Sequence, residues 1–240
     1  MTPDDLLTRV LYRDALMLVL DKPSGIPVHA GPGGGPNLEQ YFDALRFGLP
    51  RLPALAHRLD RDTSGCLVLG RHRKALAKLG RLFAAGRIEK TYWAIVDGAP
   101  SEDEGRIDLA LRKRSIDKRS WQMEPHPDGQ PAITDWKVLA RGPKQSWLAL
   151  YPRTGRTHQI RVHCAASGFP LTGDSAYGTA TATAGFLLHA RAVTIPIYST
   201  RPAITVEAAP PPAMAKAIRA IGGDIPNPVS PSVPDPQRSA

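Results

Sequence analysis

The chain has 240 residues, 42% of them hydrophobic and 22% charged, with a formal net charge of +9; this is enough chain for one large or two small folded domains. No run approaches the roughly 20 apolar residues that cross a bilayer, and Met1-Thr2-Pro3-Asp4-Asp5 lacks the basic and apolar regions of a signal peptide, which predicts a cytoplasmic protein without a membrane segment. Cys66 and Cys164 stand far apart in no ligand spacing, and no glutamate lies between His158 and His163, so reduced thiols and no metal are expected.

Along the chain, Leu16 to Leu20 reads as a buried strand entering a tight turn at Asp21-Lys22-Pro23-Ser24-Gly25. Gly31 to Pro36 is a loop. Asn37 then caps a helix with Leu38, Tyr41, Phe42 and Leu45 at helical spacing and Gly48 past its end. Cys66 to Leu69 is a strand, followed by a helix near 72–85 with Leu76, Leu79 and Phe83 inward, a basic outer side and Gly86 closing it.

Ile88 to Val96 is a strand whose alternation sends Tyr92 and Trp93 to opposite faces, so both cannot enter one pocket. Residues 101–120 run from Glu102-Asp103-Glu104 to Arg112-Lys113-Arg114 and are placed on an exposed hairpin or loop. Residues 134–140 and 145–151 form an antiparallel pair turned at Arg141-Gly142-Pro143-Lys144. Thr154-Gly155-Arg156-Thr157 leads into a helix near 158–167 ended by Gly168, and strands follow at 186–190 and 203–207. Eight prolines in the 31 residues from Pro210 predict a disordered tail, interrupted at most by a short helix at 213–221. The mixture of short strands and helices predicts an α+β fold, with a mixed, largely antiparallel sheet and flanking helices.

Charge is concentrated between residues 46 and 90, where eleven Lys and Arg face Asp60, Asp62 and Glu89, a balance of 11 − 3 = +8. Such a field suits a polyanion, although a single basic cluster is more often a solvated face. Inside it, His57-Arg58-Leu59-Asp60-Arg61-Asp62-Thr63-Ser64-Gly65 packs charges of both signs and two hydroxyls into nine residues before an apolar strand. Taken alone it is as well explained by a surface turn as by an active site.

Together with Leu20-Asp21-Lys22-Pro23-Ser24-Gly25-Ile26-Pro27-Val28-His29, Glu89-Lys90-Thr91-Tyr92-Trp93-Ala94 and Gly155-Arg156-Thr157-His158-Gln159-Ile160-Arg161-Val162-His163, this segment resembles the RluA-type family of RNA pseudouridine synthases. Gly173-Asp174, Tyr177-Gly178 and Leu188-His189-Ala190 follow in the family's order, and the resemblance spans about 12–205. It implies a catalytic domain over 1–208, a Pro-rich tail over 209–240, and isomerisation of uridine in ribosomal or transfer RNA without a cofactor, by a protein expected to be a monomer. Many relatives carry an N-terminal S4 RNA-binding domain, for which the residues before Asp21 leave no room.

By position, the resemblance makes Asp60 the catalytic carboxylate, Tyr92 the aromatic residue over the target base and Arg161 the partner of the carboxylate. Arg58 then helps occupy the space left by the extruded base, and His57, Thr63, Arg156 and His158 complete the substrate-binding candidates. The chemistry agrees: an ionised Asp can attack or stabilise the anomeric carbon, or remove the C2′ proton to give a glycal, and a guanidinium keeps it ionised in a dry pocket. Two rivals are an RNA-binding protein without turnover and a glycoside hydrolase using Asp60 and Asp62.

Overall fold

The computed structural model describes residues 1–31, 34–117, 120–178 and 185–227. In chain order these form α1 (Pro3–Leu7), β1 (Val10–Arg13), β2 (Met17–Lys22), a 3-10 helix (Leu38–Leu45), β3 (Ala54–Leu55), β4 (Ser64–Gly70), α2 (Arg73–Ala84) and β5 (Glu89–Asp97). There follow β6 (Glu104–Asp108), β7 (Leu111–Ser115), β8 (Trp121–Pro125), β9 (Ile133–Arg141), β10 (Gln145–Pro152), α3 (Gln159–Ala166), β11 (Leu188–Ile195), β12 (Ile204–Glu207) and α4 (Pro212–Ala220). The fold is α+β with largely antiparallel strand pairing, as expected.

The chain divides into two compact units: Met1–Ile88 with Ala192–Ala209 and Asn227, and Glu89–Arg191 with Pro210–Pro226. In the first, β2 pairs antiparallel with β1 and β4, and β3 adds to β4. The run Met17–Leu20 and its partners Leu67–Leu69 are fully buried on both faces, which is why they read as continuous apolar stretches without alternation. Met17, Val19 and Val68 pack with Leu79 and Leu82 of α2 and with Val193, Ile195 and Val206 of β11 and β12. The imidazole of His72 caps α2 by accepting from Ala75 N, and Gly86 adopts φ +64 just past its end. The helix after Asn37 is a 3-10 helix, and Asn37 gives its amide to the Gly35 carbonyl instead of capping it.

In the second unit, β5, β10, β9 and β6 are successive antiparallel neighbours, and β7 pairs with β8 as a separate ribbon. The expected 134–140 and 145–151 pair is present as β9 and β10. Strand β8 was not foreseen, because the charged residues before it read as loop. Alternation along β5 puts Trp93 and Ile95 into one core with Trp147 and Ala149, while Ala94 and Val96 enter another with Ile160 and Cys164 of α3. Tyr92 packs at the margin of the α3 side, so the expected division between Tyr92 and Trp93 holds.

The short helix allowed at 213–221 is present as α4. Pro212 stands at the start of α4, where its fixed φ suits a helix, and Met214 and Ile218, one turn apart, bury against the core of Trp93 and Trp147. Residues 228–240 lie outside the described residues.

Candidate active site

Register builds the first group of candidate residues. Because β2 and β4 pair with Lys22 opposite Gly65, the segments leaving these ends, 23–25 and 60–63, run side by side. Three contacts fasten them: Ser24 Oγ donates to the Asp62 carbonyl, Gly25 N to the Arg61 carbonyl, and Arg61 Nε to the Gly25 carbonyl. Beneath them Lys22, fully buried, donates its three ammonium protons to the carbonyls of Pro23, Arg61 and Thr63 at 2.8, 2.8 and 2.9 Å. Burial pushes this ammonium down to about 8, with Asp62 and Asp60 pulling it back up. Three converging carbonyls hold it as the cation at neutral pH.

Asp60 opens a turn in which Thr63 N donates to the Asp60 carbonyl. It is half-buried, Thr63 is buried and Arg58 is exposed. His57 serves as a post for the loop: its Nε2 accepts from Val68 N at 3.0 Å, which fixes that nitrogen as unprotonated, and its ring lies 4.7 Å from Phe83. Asp62 is 57% exposed and 4.0 Å from Arg61 Nε, a surface carboxylate and a poor partner for dry acid-base chemistry.

The second group is built on α3. Gln159 accepts from Thr154 Oγ1 and Arg156 N and donates to the Ile133 carbonyl and Thr134 Oγ1. His163 Nε2 donates to the Leu109 carbonyl at 3.1 Å, its Nδ1 shares a 2.9 Å hydrogen bond with the Thr134 hydroxyl, and burial pushes its pKa down, which favours the neutral ring. These two residues spend the inner side of the helix on fastening it to β9.

That leaves Arg161 on another side, in a bidentate pair with Asp174: Nε to Oδ2 and Nη2 to Oδ1, both 2.8 Å. Its guanidinium also stands 5.1 Å from the Tyr177 ring and 5.2 Å from the Phe186 ring. Asp174 accepts further bonds from Ala176 N and Tyr177 N. Burial alone would raise its carboxyl, but the Arg161 bonds and charge and the two backbone N–H groups outweigh it and hold the pKa below the ordinary value.

His158, at the head of α3, has φ +52, a left-handed conformation uncommon outside glycine and costing about 1 kcal/mol. Its Nδ1 shares a 2.8 Å hydrogen bond with the Tyr177 hydroxyl, and its ring stacks on Trp121. Arg156 anchors its Nε on the Pro131 carbonyl. Lys90, on the Tyr92 face of β5, donates to the Thr154 carbonyl at 3.0 Å, and burial pushes it down to about 8.

The residues singled out from sequence thus fall into two groups, His57, Arg58, Asp60 and Thr63 in the first unit and Tyr92, Arg156, His158 and Arg161 in the second. Sequence reasoning gave no role to Lys22, Gln159 or His163, and quoted Asp174 and Tyr177 without assigning them one. Among the described residues no group of His, Cys, Asp and Glu is placed to hold a metal, and no helix is long and apolar enough to cross a membrane.

The largely antiparallel α+β arrangement is that of a pseudouridylate synthase domain. Human RNA Pseudouridylate Synthase Domain Containing 4 superposes with a TM-score of 0.79 over 94% of this chain and 97% of that one, at 23% identity, which shows the fold. The family model for RNA pseudouridylate synthase matches residues 16–166. An uncharacterized RNA pseudouridine synthase of Zymomonas mobilis is 43% identical over 211 residues, covering 87% of this chain and 96% of that protein. Ribosomal large subunit pseudouridine synthase C of Buchnera aphidicola is 37% identical over 174 residues, covering 72% of this chain and 55% of that protein, so the chain matches only about half the length of that relative. The chain belongs to the RNA pseudouridylate synthase family, whose members are isomerases.

Proposed function

We propose that this chain converts uridine to pseudouridine within ribosomal or transfer RNA, with Asp60 as the catalytic carboxylate. The observation that carries the reading is the Lys22 ammonium, buried beneath the loop and bonded to its Arg61 and Thr63 carbonyls and to the neighbouring Pro23 carbonyl, which fixes the backbone directly after Asp60. A buried charge is costly, and its place beneath this one loop is accounted for if the loop must be held rigid.

The reaction conserves atoms. The N1–C1′ bond breaks with its electron pair leaving on uracil, either as an Asp60 oxygen bonds to C1′ or as Asp60 removes the C2′ proton to give a glycal. Uracil then turns within the pocket and C5 joins C1′, displacing the Asp60 oxygen on the first route or with the proton returned to C2′ on the second; the C5 proton is lost and N1 gains one. Tyr92 supplies a flat ring for the base and a hydroxyl for the last proton transfer. The guanidinium assigned to keeping the carboxylate ionised is that of Arg161, whose plane is fixed by the fork to Asp174. Arg58, exposed on the loop, fills the stack that the flipped nucleotide vacates, and the basic stretch around it offsets the few kcal/mol of unstacking through phosphate contacts.

The test is Asp60→Asn, assayed by site-resolved pseudouridine mapping on RNA from cells lacking the protein. Loss of every site formed by the wild-type protein, with unchanged thermal unfolding, is the expected result. Full conversion by the variant would remove Asp60 from the mechanism.

A further inference from the structure

The β7–β8 ribbon is absorbed by none of the chemistry above, yet it holds a large aromatic side chain in the open. Trp121 is 40% exposed, whereas Trp93, Trp136 and Trp147 are 6%, 8% and 3% exposed. An exposed indole is normally free to turn, but this one is fixed in orientation: its ring lies nearly parallel to that of His158, centroids 5.5 Å apart at 18°. On the same face of the ribbon Lys113, diagonal to Trp121 in the register, places Nζ 4.6 Å from the indole centroid. On the other face Arg112 and Arg114 both reach Glu124, at 2.9 and 3.5 Å, so three cations stand against one carboxylate.

The ribbon is also tied to the arginine site. Met123 N donates to the Tyr177 hydroxyl at 2.9 Å and Gln122 Nε2 to the Ala176 carbonyl at 3.2 Å. Ala176 and Tyr177 are the residues whose backbone N–H groups hold Asp174 against Arg161. A flat, immobilised, half-open indole beside a surplus of positive charge is what a single-stranded nucleic acid needs: a π-face for a base and cations for its phosphates.

We propose that the β7–β8 ribbon is an RNA-gripping arm in which a nucleobase outside the target nucleotide stacks on Trp121, and Lys113 leaves the ring to meet a neighbouring phosphate. The stack of base, Trp121 and His158 then links RNA held by the arm to the head of α3. The inference rests on the reading of the chain as an enzyme acting on RNA, and it adds a contact for the flanking strand.

Its test uses the full chain carrying Asp60→Asn, so that binding is measured without turnover, with a single-stranded RNA oligonucleotide as the probe. Because three of the four tryptophans are buried, stacking on Trp121 shows as quenching of tryptophan emission that Trp121→Phe largely abolishes, while Trp121→Ala raises Kd about tenfold or more. Lys113→Gln lowers the slope of log Kd against log salt by about one. Near-ultraviolet circular dichroism of the edge-to-face Trp93–Trp147 pair reports that each variant is folded.

Equal quenching in wild-type and Trp121→Phe backgrounds, or an unchanged Kd for Trp121→Ala, would overturn the proposal. So would self-association that depends on Trp121 in sedimentation, since the indole would then serve a second copy of the chain. A failed active-site assignment leaves the quenching intact, and absent quenching leaves the Asp60 reading standing, so the two failures are distinguishable.

Discussion

Arg161 and Asp174 form a two-bond fork, each bond 2.8 Å long, with the carboxylate side chain fully buried and the arginine side chain 14% exposed. A fork fixes the plane of the guanidinium as well as its position, which a lysine at the same place would not do. Removing one partner leaves the other charge buried without compensation. Asp174→Ala is therefore expected to cost about 3–5 kcal/mol of stability, measured by urea unfolding. Pseudouridine formation should fall further than the stability loss explains, because Arg161 loses its orientation.

The same pair sets a pH dependence whose sign follows from the lowered carboxyl of Asp174. Its folded value lies below the unfolded one, so the ionised carboxylate contributes stability at all pH above the unfolded value, and the contribution is lost as pH falls through the folded value. The stability gap between the wild-type chain and Asp174→Asn should stay level from neutral pH down to about 5 and shrink once pH drops below about 4. Urea midpoints across that range check it. A gap that widens on acidification would mean that the pair does not stabilise the charged form.

Lys22 gives a prediction of another kind, because its partners are backbone. Lys22→Met keeps the length of the side chain and removes its three donors, leaving the carbonyls of Pro23, Arg61 and Thr63 without their proton source. With each orphaned buried acceptor worth about 1–3 kcal/mol and methionine recovering some of this by apolar burial, a net loss of about 2–4 kcal/mol is expected. Activity should drop even well below the unfolding midpoint, since the loop bearing Asp60 is no longer pinned. Urea unfolding and conversion of RNA by the same preparation separate the two effects.

What the sequence made legible was local: strand alternation at Tyr92 and Trp93, the turn at 141–144, the helices with their closing glycines, and the motif carrying Asp60. What escaped it was set by partners distant along the chain. Lys22 stands in a stretch that reads as a polar turn, and only pairing with residues 39 and 41 positions later makes it a buried post. Asp174 follows Arg161 by 13 residues, beyond any helical spacing. Strand β8 was hidden by the charges of its neighbours, whereas the short helix allowed at 213–221 is present as α4, its prolines clustered ahead of the helix and its interior free of them.

That helix supplies the last prediction. Met214 and Ile218 are 1% and 0% exposed and cover the core in which Trp93 and Trp147 meet edge to face at 4.8 Å. Shortening either to alanine opens a cavity beside the two indoles, at an expected cost of about 2–5 kcal/mol each. Because the two side chains share this core, the double variant should depart from the sum of the single ones. Near-ultraviolet circular dichroism, dominated here by the paired indoles, should lose intensity as the cavity frees them. Chains altered at either position that unfold at the wild-type urea concentration with an unchanged aromatic spectrum would return 210–226 to the status of a tail.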